Sequence, residues 1–310
     1  MRDAASARLH LRVRSIGQVA ADLLVSGAHF EVEAVFERSC YLRLASGFVC
    51  VGAADIGKGP INALIDLPEG VGFAGLGIGR DDEGSIGASG IMIDDGPVIA
   101  LAAVEPWAPP PFPTQLDRRT IASGLATLRH AIEAEPVGGG LAGLVFDAAR
   151  WRRPTRFELA AADLMTEMRA RLPQAIAETD VGGIAPHAVL LLGLGPGLTP
   201  SGDDVLGGML LALSALQETI FRDALWEALV PELGDLTNEI SAMHLAVAAD
   251  GLGADAVHRL INAALIGDAA DIARHAKTVT AIGDSSGFDI MAGIVLATTA
   301  WVEAPLASGT

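Results

Sequence analysis

The sequence predicts an α+β chain, with a small strand-rich N-terminal domain over residues 1–108 and a mainly α-helical domain over residues 109–310. Three observations lead there. Up to about Val104, short apolar segments alternate with glycine-rich turns. At Glu105–Pro113 (EPWAPPPFP), clustered prolines deny both helix and central strand and mark a boundary. Beyond it the apolar period becomes helical.

In the first region His29–Phe36 (HFEVEAVF), Cys40–Leu44 (CYLRL), Phe48–Gly52 and Ile91–Ile93 read as strands, with Ser15–Leu24 as a short helix. In the second, helices are expected over Thr114–Ala134, Leu141–Arg150, Phe157–Glu178, Asp203–Gln217 and Phe221–Leu229. They continue over Asn238–Ala249, Ala254–Ile266, Ala269–Val279 and Phe288–Val302.

Composition narrows the class. The 310 residues are long enough to bury a real core, and 51% of them are hydrophobic, which excludes intrinsic disorder. With 21 basic and 38 acidic residues the formal charge is 21 − 38 = −17. A chain this acidic does not bind nucleic acid or an anionic membrane through its overall field. Two cysteines, Cys40 and Cys50, make no disulfide framework. The N-terminus lacks the apolar stretch of a secretory signal. A cytoplasmic location is expected. The uncharged stretch from Val181 to Gly202 is long enough to span a bilayer, but three prolines and six glycines interrupt it. It reads instead as a buried segment ending in a loop.

That loop, Gly193–Asp204 (GLGPGLTPSGDD), is the sharpest feature, and it recurs. Offset by 85 residues, Ser201, Gly202 and Asp204 align with Ser286, Gly287 and Asp289 of AIGDSSGFD. In the following apolar runs Gly208, Leu211 and Ala212 align with Gly293, Leu296 and Ala297. The chain thus carries an internal loop-then-helix repeat. Capping boxes alone would explain Ser201 with Asp204 and Ser286 with Asp289. They would not explain Gly193, Gly195, Gly197 and Thr199, which suit a concavity of backbone N–H groups at a helix start, fit for an anion. The loop is neither a dinucleotide fingerprint, because Leu198 stands where its third glycine belongs, nor a Walker loop. Asp203, Asp204, Asp284 and Asp289 are candidate ligands for Mg²⁺ if the two loops meet.

GLGPGLTPSGDD, the later SSGFD and the Thr237–Ser241 segment (TNEIS) resemble the AllH family, which includes the smaller helical subunit of bacterial oxamate carbamoyltransferase. Gly57–Pro60 (GKGP) and the stretch near Trp107 extend the resemblance over most of the chain. It implies transfer of a carbamoyl group from N-carbamoyl-oxamate to phosphate, giving oxamate and carbamoyl phosphate, in fermentative purine and allantoin catabolism. It also implies a hetero-oligomer with two further subunits, one resembling the CoA-binding subunit of acyl-CoA synthetases. The expected site then has Ser201, Asp204 and Asp289 in catalytic roles. Gly195, Gly197, Leu198, Thr199, Gly202, Ser285, Ser286, Gly287 and Lys58 would bind phosphate and substrate. The site would lie where the two loops converge, facing the first domain. A non-catalytic assembly subunit and a small-amide hydrolase are the competing readings.

The other candidates carry less. Lys58 also fits a solvated turn, Arg80 a hairpin with a local salt bridge, and the two cysteines buried strand thiols. His187, His244, His258 and His275 show no metal-binding spacing, and no Gly-x-Ser-x-Gly elbow announces a serine triad.

Overall fold

The computed structural model describes residues 9–68, 70–101, 104–135, 139–146 and 155–305. The chain divides into two compact units, Met1–Pro109 and Pro110–Thr310.

The first unit is a closed sheet. Its strands are β1 (His10–Gly17), β2 (His29–Val35), β3 (Ser39–Leu44), β4 (Gly47–Ala53), β5 (Asn62–Ile65), β6 (Glu83–Gly87), β7 (Gly90–Ile93), β8 (Val98–Ala100) and β9 (Pro106–Trp107). They run in the order β5-β4-β3-β2-β6-β7-β8-β1-β9, and β1 also pairs antiparallel with β5, which closes β1–β8 into a barrel. Closure removes the exposed edges that an open sheet of short strands would present. Alternation sends Val13, Val32, Leu42, Val51, Ile91, Ile93 and Ile99 into a common core. Cys40 and Cys50 join the buried residues as free thiols, and burial pushes Cys50 up to about 12, so neither is a nucleophile.

One expectation changes here. The segment 15–24 divides: Ser15–Gly17 completes β1, and only Gln18–Leu23 is helical (α1). Pro106–Trp107 is a short strand parallel to β1 at the end of the sheet order, a position where a missing N–H is tolerated.

The second unit is helical: α2 (Arg118–Glu133), α3 (Arg156–Glu178), α4 (Ala185–Val189), α5 (Ser201–Ala215), α6 (Thr219–Leu229), α7 (Leu233–Leu236), α8 (Glu239–Ala249), α9 (Asp255–Ile266), α10 (Ala269–Val279) and α11 (Ser286–Glu303). The expected helix over Leu141–Arg150 is replaced by a 3-10 turn at Ala142–Leu144, with residues 147–150 outside the described ones. The amides of Leu141 and Ala142 are captured instead by a side chain of α11. The 4- and 5-residue helices α7 and α4 carry too little period to be read from sequence. No helix among the described residues is long and apolar enough to cross a membrane.

The two repeat helices, α5 and α11, form the centre of this unit and pack on each other. Both are apolar nearly all round, as a helix must be when it is surrounded by others. At their crossing a Cβ on Gly208 would lie 2.1 Å from the Ile290 carbonyl, and one on Gly293 would lie 2.0 Å from the Val205 carbonyl. Val205 and Ile290 are themselves repeat equivalents, so the crossing is pseudo-symmetric: each helix offers its glycine to the same backbone position of the other.

This generates a contrast between adjacent glycines. Gly208→Ala gains about 1 kcal/mol of helix propensity but meets backbone that cannot move aside. It should lose at least 1–3 kcal/mol net in urea denaturation. Gly207→Ala, whose Cβ would meet only side-chain atoms 3.9 Å away, should be neutral or stabilising by up to about 1 kcal/mol. Equal effects at the two positions would refute the close crossing.

Candidate functional site

The crossing brings the starts of α5 and α11 together. Neither starts with a capping box: the N-cap residues are Pro200 and Ser285, without a side-chain cap hydrogen bond, so Ser201 and Ser286 fall one residue inside. Their hydroxyls are used across the crossing. Ser286 lies beside the Asp204 carboxyl and Ser201 beside that of Asp289, each hydroxyl favouring the ionised form of the carboxyl it faces. Thr199 Oγ1 lies 3.0 Å from Ser286 Oγ and also reaches Asp204. The repeat thus folds into two crossed serine–aspartate pairs.

The pairs differ in their surroundings. Asp289 is fully buried, and its Oδ1 accepts from the Leu141 and Ala142 amides at 2.6 and 2.9 Å. Its Oδ2 has no partner and lies where a Cβ on Gly140 would stand, 2.2 Å away; Gly140 is left-handed at φ 81°, so only glycine fits. Among the described residues Asp204 accepts from no backbone amide, and its Oδ2 is likewise buried without a partner. Ser286 and Thr199 are only partly buried, while the Asp204 carboxyl between them is enclosed; solvent reaches the hydroxyl side of this half of the site.

Asp203 has a different task. Its carboxylate accepts from Gly193 N at 2.8 Å, from Ser241 Oγ at 2.6 Å and from the Thr237 hydroxyl. Asn238 caps α8 and its Nδ2 donates to the Leu198 carbonyl at 2.8 Å. The TNEIS segment is therefore the brace of the first loop. Thr237, Asn238 and Ser241 were not among the expected site residues; the signal that singled them out was the resemblance, while spacing gave no sign of it.

Within the loop Gly195 and Gly197 are at φ 124° and 101°. The N–H groups of Gly195, Gly197, Leu198 and Thr199 make no hydrogen bond among the described residues, nor do those of Gly283, Asp284 and Ser285 in the second loop. Gly202 and Gly287 are packed against backbone, at 1.8 Å for a Cβ to the Leu191 and Val279 carbonyls, and serve the fold. Asp284 is exposed, and Lys58 is an exposed loop residue of the first unit. The four candidate metal ligands do not form one cluster: Asp203 is committed to its three donors, and among the described residues no group of three or more His, Cys, Asp or Glu is placed to hold a metal ion.

The electrostatics follow from burial. Burial raises Asp203 despite its three hydrogen bonds. Asp204 is well above the usual carboxylate range, first through burial and then through the facing Asp289 and Asp203 charges. Burial pushes Asp289 up to about 6. His244, on α8, is pushed down to about 4 and is neutral at pH 7, as is His258, which stacks on Phe112 at 4.6 Å and accepts from Gly253 N. Arg80 pairs with Glu33 and Asp81.

Fold and site together define a protein with a β-barrel unit and a helical unit organised around a duplicated serine–aspartate loop. A family model described as oxamate carbamoyltransferase subunit AllH matches residues 191–298, a span that holds both loops, all of α5 and α11 as far as residue 298. The match supports an AllH-like family assignment. No curated protein and no solved structure matches the chain.

Asp289 makes a prediction about stability. It keeps its proton to about 6 in the folded chain, against 3.8 when unfolded. Below 3.8 both states are protonated and the carboxyl contributes nothing. Between 3.8 and 6 only the unfolded chain releases its proton, so stability falls as pH rises and is level above 6. At about 1.4 kcal/mol per unit the loss is on the order of 3 kcal/mol. Asp289→Asn keeps an acceptor for both amides and removes the titration. Urea denaturation at pH 4 and 7 should show the variant gaining on the parent protein by about that amount at the higher pH. A constant difference would refute the assignment.

Proposed function

We propose that this chain is a subunit of a carbamoyltransferase, and that its facing loops handle the carbamoyl group and phosphate. The family's description points to an oxamate carbamoyltransferase subunit. The observation that carries the reading is that the two loops whose backbone donors have no partner among the described residues meet at Thr199 and Ser286, beside the buried Asp204 carboxyl. Transfer of a carbamoyl group to phosphate needs a cradle for an anion, donors for the oxyanion that develops at the carbonyl, and proximity. In this proposal the amides of Gly195 to Thr199 take the anion and those at the start of α11 face the carbamoyl oxygen. Ser201 and Asp289 fix the second loop against the first. The substrate pair is N-carbamoyl-oxamate and phosphate, the products oxamate and carbamoyl phosphate, and the working form a hetero-oligomer with the other subunits of the enzyme.

The carboxyls set the pH behaviour. A phosphate in the cradle is repelled by Asp204 and Asp289 when they are ionised and not when they are protonated. Its affinity should therefore rise as pH falls through about 6, the value to which burial lifts Asp289. Thermal unfolding with phosphate or carbamoyl phosphate reads this. Ligand at one hundred times its dissociation constant stabilises by about 2.7 kcal/mol, and the shift should grow from pH 7.5 to 5.5. Asp204→Ala should lower turnover of N-carbamoyl-oxamate with phosphate, assayed in the assembled enzyme, by about 10²-fold or more. Full activity in that variant would sink the site, and turnover without phosphate would favour a small-amide hydrolase.

A further inference from the structure

The two serine–aspartate pairs are equivalent by sequence and unequal by surroundings. Ser201 is 2% exposed, and its partner Asp289 is closed off by Gly140 and two amides. Ser286 is reachable, its hydroxyl lies between Thr199 and Asp204, and no backbone amide competes for Asp204. Ser286 is also the first residue of an 18-residue helix, where unpaired N–H groups and the macrodipole favour negative charge on its oxygen. In the facing loop the N–H groups of Gly195, Gly197, Leu198 and Thr199 have no partner among the described residues. An accessible hydroxyl held by a carboxylate with an unpartnered buried oxygen, beside donors for an oxyanion, is the constellation of a nucleophile, its base and its electrostatic support.

We infer that Ser286 is a covalent nucleophile that carries the carbamoyl group between donor and phosphate, with Asp204 taking and returning its proton. The inference rests on the carbamoyl-transfer reading above and adds a two-step course to it. In the first step Ser286 Oγ bonds to the carbamoyl carbon of the N-carbamoyl donor and its proton passes to Asp204. The carbon–nitrogen bond then breaks, and the departing nitrogen takes the proton from Asp204, releasing oxamate and leaving a serine carbamate. In the second step a phosphate oxygen bonds to the same carbon, its proton passes to Asp204 and on to Oγ as the carbon–Oγ bond breaks, releasing carbamoyl phosphate and the free serine. No electrons are exchanged with an outside reactant. Burial and the neighbouring carboxylates raise Asp204's affinity for a proton, so its ionised form is a stronger base than an exposed carboxylate. Thr199, 3.0 Å from Ser286 Oγ, is a positioning residue that limits the rotamers of the nucleophile.

Isotope exchange tests the covalent step by itself. The full-length chain, purified in the assembly it forms, is incubated with carbamoyl phosphate and labelled phosphate in the absence of oxamate. A serine carbamate requires label to enter carbamoyl phosphate, and acid-quenched peptide mass analysis should find one carbamoyl group on Ser286. Ser286→Ala should abolish both signals while its thermal midpoint stays near that of the parent protein, and Asp204→Asn should slow exchange by about 10²–10⁴-fold. Cyanate released from carbamoyl phosphate modifies amines in parent and variant alike, so the comparison removes it. Net transfer to oxamate without exchange, or with Ser286→Ala active within a few-fold, means direct displacement and overturns the covalent step alone. Label on another residue overturns the assignment to Ser286. An assembly with no net transfer in either direction overturns the carbamoyl reading, and the covalent step falls with it.

Discussion

Everything at the site follows from the near-contact of two helices. α5 and α11 approach so closely at Gly208 and Gly293 that each glycine meets the other helix's backbone. The crossing lies seven residues from each helix start, about two turns or ~10 Å. Two helix N-termini are thereby pressed together, and each carries about half a positive charge. Placing Asp204 and Asp289 there offsets that repulsion, but the price is burial: desolvation outweighs the dipoles, and both carboxyls hold protons more tightly than in water. The chemistry proposed for Ser286 uses this tension, since a base strengthened by burial accepts a proton most readily.

The loop ahead of α5 cannot hold its shape by itself, because its glycines favour no single conformation. Asp203 and Asn238 do that work from outside, one through Gly193 N and the other through the Leu198 carbonyl. The adjacent aspartates Asp203 and Asp204 look interchangeable in the string GDD and point to opposite tasks. Asp203 turns inward to the 237–241 brace, and Asp204 turns across to α11. A helix rotates ~100° per residue, so neighbours at its start must face different structures.

That rotation also explains how much the sequence disclosed. The α+β order, the main helices and the loop repeat were legible because each rests on local periodicity or on self-similarity. Ala269–Val279 is found as expected, and Phe157–Glu178 differs from α3 by one residue. The site residues of both loops were named as candidates, and the structure gathers Thr199, Ser201, Asp204, Ser285, Ser286 and Asp289. The roles were not legible. Ser-x-x-Asp reads as a local cap, whereas here each serine serves the aspartate of the other copy, 88 residues away for Ser201 and 82 for Ser286 by the numbering. Barrel closure through β1 and β5, and capture of the Leu141 and Ala142 amides by Asp289, are long-range pairings of the same kind. A window of sequence holds no trace of them.

The crossed repeat has the geometry of a symmetric dimer built into one chain. In an assembly of identical subunits both serine–aspartate pairs would have to stay alike, since one gene would encode both. Fusion lifts that obligation. Here one pair has become a sealed hinge-pin, locked under Gly140 and two amides, while its twin remains open to solvent. Duplication thus separates two demands that conflict at a single site: rigidity, which wants a carboxyl fixed by backbone amides, and reactivity, which wants its serine within reach of solvent.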